Sequence, residues 1–97
     1  MLLAQKAAMA LALASLVKSQ EQRKALMEQI DAGLSFMTME NQWFAAGSAN
    51  AIFDAAASEA MRALKRDGWN EATIAQRVKE ELRNARVMPT VRGVASA

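Results

Sequence analysis

The chain has 97 residues, a net charge of +2 and 53% hydrophobic residues, with neither cysteine nor histidine. That length fits one domain with a small core, burying roughly 60–70% of the surface the unfolded chain exposes. The two missing residue types exclude disulfides, thiolate and imidazole metal ligands, and the commonest general base.

Residues 1–17, MLLAQKAAMALALASLV, carry a single charge at Lys6 and are apolar on nearly every side. Such a pattern predicts a helix surrounded by protein. The run is too short to cross a bilayer as a helix. Its Ala-Leu-Ala steps are also compatible with a secretory signal. The expectation is a retained helix, with membrane association through residues 1–17 as the alternative. A cytoplasmic or virion-associated location is preferred to a secreted one.

KSQEQRK (18–24) is polar on every face. Helical patterning continues over 19–32 with Leu26, Met27 and Ile30, and the Ser19/Gln22 spacing of a capping box allows a break at its start. Gly33 is the expected terminator, with GLSFM as a loop.

The third segment, 38–67, has Thr38 as its N-cap and Glu40 near its positive end. Its apolar seam is Met39, Trp43, Ala46, Asn50, Phe53, Ala57, Ala60 and Leu64, alternating steps of four and three. This heptad-type spacing suits left-handed helix pairing, and Asn50 on the seam reads as a register mark. Alanine buries little area, so the seam is weak for its length. Gly47 costs about 0.5–1 kcal/mol relative to alanine in mid-helix, which suits close passage of another chain. Trp43, Phe44, Ala46, Gly47, Asn50, Phe53, Ala57, Ala60 and Leu64 are therefore the candidate partner interface.

Gly68 stops this helix, and Lys65 and Arg66 favour its negative end. Over 70–86 the start is well marked: Asn70 caps, Glu71 opens the first turn, and Trp69 and Ile74 hold the positions of a hydrophobic staple. Ile74, Val78, Leu82 and Ala85 form a narrow stripe on an otherwise charged helix, which predicts an outer position. Pro89 ends helical conformation, and the tail 87–97 is expected to lie against a neighbouring surface.

The charges are unevenly placed. No basic residue lies between Lys24 and Arg62, whereas eight lie in 62–97. Arg77, Lys79, Arg83, Arg86 and Arg92 are the candidate phosphate contacts of a helix-turn-helix-like DNA-binding arrangement. Glu80 and Glu81 interrupt that face. Ser15 and Lys18 have serine-x-x-lysine spacing, but the companion motifs of acyl-transfer enzymes are missing. Glu28 and Asp31 lack the histidine that helical di-metal sites require. Neither an enzyme nor a cofactor is expected.

The whole reads as one all-α domain over 1–97: a long helical hairpin or small bundle with an outer amphipathic C-terminal helix, completed by oligomerisation. The expected role is protein–protein association, as a structural or adaptor component of a larger assembly (virion-like or secretion-type) or as a small inhibitor of a partner complex. DNA binding and membrane association are the alternatives.

Overall fold

The punctuation between the apolar segments decides where each helix stops. A computed structural model describes residues 2–37 and 42–85, with side chains for 2–37 and 47–84. The elements are α1 (Leu3–Ser15), α2 (Gln20–Met37), α3 (Gln42–Arg66) and α4 (Glu71–Ala85). The protein is all-α, and no strand occurs among the described residues. Thr38, Glu40 and the tail lie outside them.

The polar stretch after α1 is a corner rather than a continuous helix. Ser15 Oγ donates to the Ala12 carbonyl at 2.7 Å. The Leu16 and Val17 N–H groups reach only three residues back, to the Leu13 and Ala14 carbonyls, which tightens the last turn. Ser19 then caps α2, its Oγ accepting the Gln22 N–H at 3.2 Å. The Arg23 guanidinium donates to the Val17 carbonyl at 2.7 Å, satisfying an acceptor that the corner leaves free of helical partners.

Gly33 does not end α2, which continues to Met37. A β-carbon at Gly33 would stand 2.6 Å from Phe53 Cε1 and 3.1 Å from Ile52 Cγ2. The glycine is therefore a seat for the Phe53 ring, where α2 and α3 approach closely. Mid-helix glycine has two physical uses, stopping a helix or admitting a neighbour, and here the second applies.

The Lys6–Asp54 ion pair (3.1 Å) joins the first half of α1 to the middle of α3. Lys18 and Ser19 border the same surface depression as Arg66 and Asp67 at the far end. Helices α1 and α3 thus point the same way, and α2 returns between their ends. Helix α1 packs against α2, α3 and α4, so the neighbours its all-round apolarity requires are in its own chain.

The core draws Ala7, Ala10, Leu13 and Ala14 from α1, Leu26 and Ile30 from α2, and Ala49, Phe53, Ala56, Ala60, Ala63 and Leu64 from α3. Relative to the expected seam, the buried sector of α3 is rotated by roughly half of one residue's step around the helix. Asn50 and Ala57 lie half-buried at its edge, while Ala49, Ala56 and Ala63 are inside. The cause is that α3 meets two helices, α1 and α2, which bury a sector wider than a single heptad row. No polar side chain is buried among the described residues.

Candidate functional site

Helix α4 is held at an angle set by the α3–α4 corner. Gly68 has φ +99°, open to glycine and strained for other residues. Its N–H donates to the Lys65 carbonyl and the Trp69 N–H to the Leu64 carbonyl, both at 3.0 Å. These two bonds make a complete Schellman stop. Asn70 Oδ1 accepts the Thr73 N–H at 2.8 Å, capping α4. Trp69 and Ile74, at the staple positions, both join the apolar cluster. Outside this corner the Lys65 ammonium meets Glu71 Oε2 at 2.6 Å. The hydrogen bond from Lys65, and then its charge, hold the Glu71 carboxyl below the ordinary carboxylate value. The Arg77 guanidinium lies 5.8 Å from the centre of the Trp69 ring.

So fixed, α4 rests chiefly on α1. Ile74 and Val78 are buried in that contact and Leu82 is half-buried. One narrow stripe cannot cover the surface on both sides of it, and an open groove of about 580 Å³ remains on one side. Met9 and Leu13 of α1 and Met61 of α3 face Ile74, Val78 and Leu82 of α4 across it. Ala75, Lys79 and Glu71 form its α4 rim. A smaller crevice of about 240 Å³ lies on the other side of Leu82, where Leu11 and Met27 approach Glu81. Methionine is unbranched and adaptable, so a wall built from it accepts apolar shapes of more than one kind.

The expected interface residues do not form one exposed surface. Phe53, Ala60 and Leu64 are buried in the chain's own core, Asn50 and Ala57 are half-buried, and Gly47 is exposed. The side chains of Trp43, Phe44 and Ala46 lie outside the described residues. Of the candidate phosphate contacts, Arg77, Lys79 and Arg83 are exposed on α4, whereas Arg86 and Arg92 lie outside the described residues. Arg77 also pairs with Glu80 at 3.5 Å. Among the described residues no group of three acidic, histidine or cysteine side chains is placed to hold a metal ion. No described helix is long and apolar enough to cross a membrane.

The groove was the part that sequence reasoning missed. Its one available sign was the abundance of methionine, seven in the chain, which ordinary core filling explains equally well. No family model, no curated protein and no solved structure matches this chain.

Proposed function

We propose that this protein is a non-enzymatic association module, a small structural or adaptor component that receives an apolar segment of another protein in the groove between α1 and α4. The observation that carries this reading is the groove itself, about 580 Å³ with methionines from two helices in its walls. Its size falls in the range of ordinary binding clefts, roughly 300–1,000 Å³. The corner at Gly68 supports the reading further, because a rigid frame lets a partner bind without the cost of ordering the site. Membership of a virion-like or secretion-type assembly remains a proposal from composition, as does the inhibitor role.

Ala75 is exposed on the rim, so Ala75→Trp would fill the groove from outside while leaving the core untouched. Chains retained from the native source by the wild type and lost by Ala75→Trp, at unchanged helicity, are the expected result. Equal retention by both proteins would overturn the groove as the binding site.

A further inference from the structure

We infer that the segment received by this groove is an amphipathic helix with an acidic edge, its carboxylates meeting Lys79 and Arg83. This rests on the groove reading above and adds the partner's chemistry to it.

Glu71, Ala75, Lys79 and Arg83 follow one another at steps of four, so they form a single row along α4. The first three line the groove, and Arg83 stands one turn beyond on the same row. The negative charge in this row is already matched, since Glu71 holds Lys65 at 2.6 Å. Lys79 and Arg83 have no ion-pair partner among the described residues. The other charges of α4 are arranged differently. Arg77 is engaged by Glu80 and the Trp69 ring, and Glu81 borders the crevice on the opposite side. Unmatched positive charge on α4 thus starts at the groove rim with Lys79 and continues one turn beyond it at Arg83.

An apolar floor with a cationic rim complements an apolar stripe flanked by carboxylates. From Glu71 to Leu82 the wall runs about 16 Å, three helical turns, enough for anchors at i, i+3 or i+4, and i+7 of a docked helix. A nucleic acid fits less well. Its phosphates would use Lys79 and Arg83 but leave Met9, Leu13 and Met61 uncovered, and among the described residues no aromatic ring lines the floor for base stacking.

The test uses the full chain and three synthetic helical peptides with one shared leucine stripe, flanked by Glu, Gln or Lys, read by fluorescence anisotropy. The Glu peptide is expected to bind about threefold to tenfold more tightly than the Gln peptide, as two exposed ion pairs supply, and the Lys peptide more weakly than either. That preference should shrink as salt is raised. Lys79→Glu with Arg83→Glu should reverse the order. Equal binding of all three peptides would overturn the acidic edge while the groove reading stands. Binding by none, or binding that survives Ala75→Trp, would overturn the groove reading itself. Displacement of the Glu peptide by mixed-sequence DNA duplex, or by the chain's own dimerisation, would assign the rim to that other occupant and overturn the inference.

Discussion

Helix α1 is covered in two different ways. Toward α2 and α3 it enters a closed core rich in alanine, where its own Ala7, Ala10 and Ala14 join Ala49, Ala56, Ala60 and Ala63 of α3 around Leu26, Ile30, Phe53 and Leu64, with no polar side chain buried among the described residues. Toward α4 the contact is built of Ile74, Val78 and Leu82, with methionines at the margins and open volume on either side. Short side chains let helices meet almost backbone to backbone and leave nothing to fill. A single row of longer side chains props helices apart, and what the row does not cover stays open. One helix therefore has a closed side suited to holding the fold and an open side suited to receiving something else.

The contrast is tested most severely at its tight end. Phe53 is fully buried against Gly33, and Phe53→Ala is expected to cost about 3–5 kcal/mol in urea unfolding. A loss below about 1 kcal/mol would mean that the closed side is not closed. Gly33→Ala asks the same question by adding a single carbon. The clash with the Phe53 ring should outweigh the helix-propensity gain, giving a net loss of about 1–3 kcal/mol. Stabilisation by this change would contradict the close approach. On the open side the same kind of measurement should be nearly silent. Met61→Leu borders free volume and should cost under about 1.5 kcal/mol.

Gly47 provides the matched control for Gly33. It too lies inside a helix, but a β-carbon there meets nothing within 4 Å among the described residues. Gly47→Ala should therefore raise stability by about 0.4–1 kcal/mol, and a loss in the isolated chain would reveal a neighbour at this position. The smallest effect belongs to the rim. The Glu71 carboxyl titrates lower in the folded chain than in the unfolded one. Its contribution is present above the unfolded value and lost as pH falls through the folded value. Lys65→Met should abolish that acid-side increment in a pH series of melting temperatures, and an unchanged series would remove the ion pair from consideration.

The sequence carried the corner of α4 almost completely, because a cap, a staple and a glycine stop are local devices set by residues within a few positions of one another. Asn70 and Gly68 act as their spacing implies, and Trp69 and Ile74 both reach the apolar cluster. Gly33 was misread because its purpose lies on another helix, twenty residues away at Phe53. The seam of α3 was placed half a step off for a similar reason: heptad spacing describes one neighbour, and α3 has two. In the sequence, association is suggested by an apolar helix and a weak alanine seam; in the structure both contribute to one core cluster, and the open surface comes from the way α4 packs on α1, which no local pattern encodes.

The seat at Gly33 has one more consequence. The buried face of α3 is rich in alanine and offers few marks of register, so displacing a neighbour along it by a turn, about 5.4 Å, would exchange one small side chain for another. With no polar group buried among the described residues, nothing else in the core opposes such sliding by hydrogen bonding. The Phe53 ring in the notch at Gly33 gives α2 one position along α3 and not several, as the Lys6–Asp54 ion pair does for α1 at the surface. A protrusion and a gap thus index α2 against α3, much as a key fixes a shaft, and the absence of a side chain supplies the information.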